Sequence, residues 1–301
     1  MASVSGEAEL DASTYWIAPS RNFRTSARLH LQHLLFQNTL EGILLEDRIN
    51  DSLPSGTEIT VGDLGCGNGV WLSDLNHRLS AAKPEATLQL HGFDINPLYF
   101  PAPQFLSKSI TLKNLDVLAR PLPADLQGTF DVVHVRAFSS IIRNGDVSPL
   151  LTSALDLLKP GGWLQWEETL VANFSATAPS PDVSKQACDT IIHILDAGGR
   201  ANGLEFEFLN SLDEHFAGNG FVDVEVRKID KRASDLKAWT EDYLMVWEEL
   251  AVMFPSRKQV PQSPMTKEGF QELFAKAVAE TEAGVVVHQG KLVIASGRKP
   301  L

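Results

Sequence analysis

The chain has 301 residues, 44% hydrophobic and 21% charged, enough to bury a complete α/β core with an insertion or a small second domain. A formal net charge of −12 argues against a nucleic-acid partner, which needs a basic footprint, and no dense Lys/Arg run is present. Two cysteines (Cys66 and Cys188), an N-terminus without an apolar h-region and the lack of any apolar run of spanning length predict a reduced, cytoplasmic chain with no membrane partner, in which the sequons at Asn50 and Asn173 carry no meaning.

Residues 1–13 read as a loose tail. After the Tyr15-Trp16 pair and a polar turn at Pro19, Ala27, Leu31, Leu34, Leu35, Ile43 and Leu44 recur at helical spacing and predict a helix over about 25–48. Arg28, Gln32 and His33 lie on it. They are either solvated groups of a cover helix or part of a lid over a cofactor, with Tyr15 and Gln32 touching the ligand.

The remaining elements are arranged around the stretch 59–69. An apolar run passes through glycines at alternate positions, Gly65, Gly67 and Gly69, with Cys66 and Asn68 between them, into a helical segment over 70–80. A strand entering a helix through such a turn is the βα unit of a nucleotide-type site. Glycine lets the main chain take strained torsions and approach a ligand, and the helix start offers unpaired N–H groups. The spacing differs from the G-x-G-x-x-G of a diphosphate site. Asp63 ahead of closely spaced glycines suits a ligand with an ammonium and a sulfonium, and a ligand-free turn is the plainer alternative.

Residues 87–93 alternate as a second strand ending in Asp94, with Ile95 next to it, where a carboxylate grips a ribose diol; helix capping is the competing role. A third strand over 109–113 leads to Asp116 and Val117. Residues 129–135 form a continuous apolar strand, covered on both faces, that ends at His134 and Arg136 on the ligand edge. A helix over 146–158 stops at Lys159-Pro160-Gly161-Gly162, and 163–169 is the fifth strand, with Glu167 and Glu168 at its ligand end. Trp166, like Tyr15 and Trp16, is either an aromatic wall for a flat substrate or plain core. Helices then read over 182–195, 204–219, 236–254 and 266–282, with a sixth strand over 220–226. A last, antiparallel strand over 285–288 and 291–296 is placed at or near the sheet edge. The eight histidines are scattered, and no metal-ligand spacing appears.

Five landmarks stand in register: Asp63 to Gly69, Asp94, Asp116-Val117, Phe130-Asp131-Val132-Val133-His134, and Leu158-Lys159-Pro160-Gly161-Gly162-Trp163. The chain resembles the class I S-adenosylmethionine (SAM) methyltransferases. It is similar in particular to fungal enzymes of the UMTA and LaeA-like type, through Tyr15-Trp16, Arg28-Leu29-His30-Leu31-Gln32-His33, His134-Val135-Arg136 and Gly297-Arg298-Lys299-Pro300. The resemblance covers residues 15–300 and is loose over 170–215. It implies an α/β fold: a Rossmann-like seven-stranded sheet with one antiparallel strand, helices on both faces and a helical cap. On that plan 1–50 is a tail and lid helix, 51–180 the SAM-binding core, 181–219 and 231–283 cap insertions, and 220–230 and 284–301 the last strands of the sheet.

The same resemblance implies SAM as cofactor, held by Tyr15, Arg28, Gln32, Asp63, Gly65, Cys66, Gly67, Asn68, Gly69, Asp94, Ile95, Asp116, Val117 and Arg136. It implies in-line methyl transfer to a small secondary metabolite met by Trp16, Trp166, Glu167 and Glu168. His134 is the first candidate for base or orienting group and His33 the second. Two other readings stay open: a cyclase or pericyclase that keeps SAM intact, and a LaeA-like regulator working through partners.

Overall fold

The computed structural model describes residues 23–301; Tyr15 and Trp16 lie outside the described residues. In chain order the elements are α1 (Phe23–Thr39), α2 (Asp47–Ser52), β1 (Glu58–Leu64), α3 (Val70–Ala82), β2 (Thr87–Asp94), β3 (Ile110–Asn114), β4 (Phe130–Arg136), α4 (Ser148–Leu157), β5 (Leu158–Thr169) and β6 (Ser175–Thr177). Next come α5 (Gln186–Ala201), α6 (Leu212–Gly218), β7 (Val222–Ile229), α7 (Leu236–Leu250), α8 (Lys267–Glu282), β8 (Val286–His288) and β9 (Leu292–Arg298).

Among the described residues seven strands form one sheet in the order β3-β2-β1-β4-β5-β9-β7, in which β9 alone runs opposite to the rest. The apolar runs of β1 and β4 are buried on both faces because helices cover both. Successive side chains divide between those faces. Val133 and Val135 pack with Leu150 and Leu151 of α4 and with Phe216 of α6, whereas Val132 packs with Leu72 and Leu75 of α3 and Ile49 of α2. A third core joins α1, α5, α7, α8, β6 and β8 around Phe36, Trp239, Trp247 and Phe270. It meets the sheet through Leu292 and Ile294 of β9.

Four expectations are corrected. The helix read over 25–48 ends at Thr39, because Glu41 (φ 52°) and Gly42 (φ 79°) are left-handed and the helix restarts only at Asp47. The Lys159-Pro160-Gly161-Gly162 stop belongs to β5 itself, with a register shift between Phe130 and Val132 opposite it. A Cβ on Gly162 would lie 3.0–3.1 Å from three carbonyl oxygens, so the strand passes there only without a side chain. Residues 286–288 leave the main sheet to pair with β6, so only β9 remains of the expected last strand; it is antiparallel and near the edge as expected, one strand in from β7. Finally, the helix read over 204–219 is α-helical only over Leu212–Gly218, after a 3-10 turn at Glu207–Asn210.

Candidate functional site

The C-terminal ends of β1, β2, β4 and β5 share one edge, and the first loop there is the glycine turn. Gly65, Gly67 and Gly69 have φ of 72°, 55° and 74°, a region side chains rarely adopt. A Cβ would lie 2.7 Å from the Phe138 ring at Gly65 and 2.9 Å from a Leu29 methyl at Gly67. The N–H groups of Gly65 and Cys66 donate to the Phe93 carbonyl at 2.8 and 3.0 Å, which fixes the loop to the end of β2. Asp94 accepts from the N–H of Gly67 and from that of Asn96, both at 2.8 Å. It therefore braces the loop and the next turn together. Asn68 donates to the Ser26 carbonyl at 3.2 Å and ties α1 over the loop. Burial, with Asp63 and Asp94 nearby, pushes the Cys66 thiol well above its usual pKa, so it is no nucleophile.

The loop opens on a cavity of about 670 Å³. One end is lined by Gly65, Gly67, Asp94, Ile95, Asp116 and Val117, and the other by Phe174, Tyr243 and Trp247 of the cap. Arg28, Gln32, His33, Asp63, Cys66, Asn68, His134, Arg136 and Glu168 also reach it. Gly69, Trp166 and Glu167 do not. Trp166 is fully buried and packs on Phe208 at 6.0 Å, which makes it core rather than a substrate wall. The oxygens of Glu167 are taken by Arg136 (2.7 Å from Nε) and Gln165 (2.6 Å), on the strand face opposite Glu168.

A connected set of charges runs along the cavity wall and behind it. Asp74 accepts from His33 at 2.9 Å, and Arg136 donates to His33 Nδ1 at 2.9 Å and to Glu167. Because Arg136 must donate, His33 Nδ1 accepts, which is the neutral ring. Burial and the Arg136 charge lower its pKa in the same sense. His134 is stacked on Trp71 (centroids 3.6 Å apart, planes 3° apart), with Nδ1 2.7 Å from Asp63 and Nε2 3.7 Å from Glu167. Burial alone would lower its pKa, but the hydrogen bond and charge of Asp63, with Glu167 behind them, hold it above the usual value. Burial would likewise raise Glu167, yet the Arg136 charge and His134 hold it at about 2.

Comparison with known proteins bears on this geometry. Residues 63–164, from the acid before the glycine loop to β5, match the family described as "Methyltransferase domain". That segment is thus similar to a methyltransferase domain. Over 174 residues it is 34% identical to methyltransferase grgD of a Penicillium species, covering 57% of this chain and 58% of that protein. Over 150 residues it is 32% identical to N-methyltransferase tcpN of Claviceps purpurea, half of each chain. The matched segments thus span little more than half the length of these curated relatives. A solved phosphoethanolamine N-methyltransferase 2 of Haemonchus contortus, in complex with S-adenosyl-L-methionine, aligns at 16% identity and a TM-score of 0.43 over 82% of this chain and 50% of that one.

Two acids complete the cavity. Glu168 accepts from the N–H groups of Phe138 (2.7 Å) and Ser139 (2.9 Å) and from the Trp166 indole (3.3 Å), just past Ala137, whose φ is 52°. Burial outweighs these donors and lifts its pKa to about 7. Asp242 of α7 was not singled out from the sequence. It is 1% exposed, and the Arg28 guanidinium lies 3.7 Å away. Burial lifts it to about 6 against the pull of Arg28 and Lys231. A sequence signal existed: Asp242 interrupts the apolar stripe Trp239, Tyr243, Val246, Trp247, Leu250 of a helix otherwise buried along that face. Among the described residues no helix is long and apolar enough to cross a membrane.

Proposed function

We propose that the chain transfers the methyl group of SAM to a small molecule of fungal-type secondary metabolism. The observation that carries this reading is continuity: one cavity runs from the side-chain-free glycine loop to the aromatic wall of the cap. Its volume lies within the roughly 300–1,000 Å³ usual for small-molecule sites. In this reading Gly65, Cys66, Gly67 and Asn68 border the methionine part of the cofactor with Asp63, Arg28, Gln32 and Arg136, and Gly69 sets the turn behind them. Asp94 with Ile95 takes the ribose, and Asp116 with Val117 the adenine. No nucleic acid or membrane partner enters, and the compartment is cytoplasmic.

SAM supplies an activated methyl on a sulfonium with a neutral thioether as leaving group. The chain therefore has to align an acceptor and keep water out, which is positioning catalysis. His134 acts as orienting group: sealed between Trp71, Asp63 and Glu167, it fixes Asp63 beneath the loop. His33 ties Arg136 to Asp74, and Glu168 is the substrate-side acid.

Titration calorimetry with SAM and with its demethylated product SAH tests the cofactor; heat with neither would refute the reading. Mass spectrometry of SAM after incubation with fungal metabolite fractions tests the reaction. Conversion to SAH with a product heavier by one methyl group is expected, whereas a transformed product with SAM intact would mark a cyclase.

A further inference from the structure

Asp242 has a property that the methyl-transfer reading leaves unused. Both of its carboxylate oxygens are buried, and neither has a partner at good hydrogen-bond geometry among the described residues, although the Gln32 and Arg28 side chains lie near enough to favour its charge. Such a group is costly to keep, because an unmet buried acceptor forfeits its solvation. The Arg28 guanidinium offsets part of that cost by charge but, at 3.7 Å, stands beyond hydrogen-bond distance. Asp242 lines the cavity beside Tyr243, whose phenol is held from behind by Lys231 at 2.8 Å. The helix thus carries an acceptor of unmet hydrogen-bonding capacity in the wall of the space where a methyl-accepting substrate would sit.

A second, independent observation is the balance of charge around the cavity. Seven carboxylates line it among the described residues, against three guanidiniums, those of Arg28, Arg136 and Arg200. Arg136 is committed to Glu167 and Arg200 to Asp196 and Glu207; of the seven acids, Asp196 is thereby matched and Asp189 is paired with Lys185, which still leaves five against Arg28. The space therefore disfavours a phosphate or carboxylate and favours a donor of N–H bonds. Around Asp242 the walls are apolar and aromatic: Phe174, Tyr243, Val246, Trp247 and Leu250.

We propose that Asp242 is the recognition group for an amine on the methyl-accepting substrate, with an aromatic or otherwise apolar body held against the cap. Asp242 accepts the N–H bonds of that nitrogen, and Arg28 keeps the carboxylate in place from the other side. The inference rests on the cofactor reading above and names the substrate class for the same cavity.

The experiment uses the whole chain saturated with SAH. Calorimetry measures binding of tryptamine, of its alcohol counterpart indole-3-ethanol and of indole-3-propionate, which share one ring and differ in the head group. The amine should bind at least about tenfold more tightly than either, the scale of a hydrogen bond to a charged group. In Asp242→Asn that preference should vanish while SAH affinity stays within about twofold, on the ordinary scatter for a site without lost contacts. Asp242→Ser serves as a second variant should the first not fold. Equal affinities, or no binding of any of the three probes, would overturn the subsite. A large loss of SAH affinity with the preference intact would overturn it too, assigning Asp242 to hold Arg28 for the cofactor. If wild-type chain takes up no SAH, it is the cofactor reading that has failed, and the two failures are told apart at the first titration.

Discussion

Glu167 and Glu168 are adjacent in β5 and equally buried, yet their proton affinities are pushed in opposite directions. Alternation along the strand explains it. One side chain falls on the face of Arg136 and His134, which stabilise its charge; the other meets only neutral donors. The consequence for stability has a definite sign. Glu168 rises from an ordinary 4.5 to about 7, so between those pH values the folded chain holds a proton that the unfolded chain releases. Its contribution is full below 4.5 and is lost as pH rises through about 7. Glu167, held at about 2, contributes stability above 4.5 that is lost as pH falls toward 2. Glu168→Gln removes the first dependence while keeping an acceptor for Phe138 and Ser139. Urea denaturation at about pH 5 and about pH 8 should show wild type losing roughly 2 kcal/mol more than the variant over that interval. Parallel losses would mean that Glu168 titrates normally. The sequence placed both acids at the ligand edge but could not say which faced the cavity, because that depends on the register of β5 against β4 and on the bulge opposite Gly161-Gly162.

At the scale of elements, strands were more legible than helix ends. The runs of β1 and β4 announce themselves because double burial leaves no polar positions to blur them. The break after α1 was missed because Leu40, Ile43 and Leu44 prolong the apolar spacing past the turn, although Gly42 is a stop signal. β9 was read at or near the edge, and which of the two it is could not be read for another reason. Its apolar run is the same for an interior strand and for an edge strand under a helix, and only the antiparallel pairing with both β5 and β7 decides. The start of α8 was legible, since Thr266 comes directly after the proline-containing break, and its hydroxyl accepts from the Gly269 N–H at 3.1 Å. Thr266→Ala should therefore cost about 1 kcal/mol in chemical denaturation. SAH affinity should stay unchanged, because Thr266 does not line the cavity. A large loss of affinity would mean that the cap and the cofactor end are coupled through α8.

Over the whole molecule, charge and cavity point the same way. The chain's formal charge is −12, and carboxylates outnumber guanidiniums around the cavity by seven to three among the described residues. A negative field concentrated by low-dielectric walls raises the local concentration of cations and weakens as salt screens it. SAM carries a sulfonium that SAH lacks, and in the proposed site the two otherwise share the glycine loop, Asp94 and Asp116. Their salt dependences should therefore separate: raising ionic strength from about 0.02 M to about 0.5 M shortens the Debye length from roughly 20 Å to roughly 4 Å and should weaken SAM binding several-fold more than SAH binding. Calorimetry of both ligands across that range reads the difference directly, and the same series on Asp116→Asn removes one of the seven carboxylates without touching the loop. Identical slopes for SAM and SAH would show that the carboxylates are neutralised or screened locally. The field of the chain would then play no part in selecting the charged cofactor over its product.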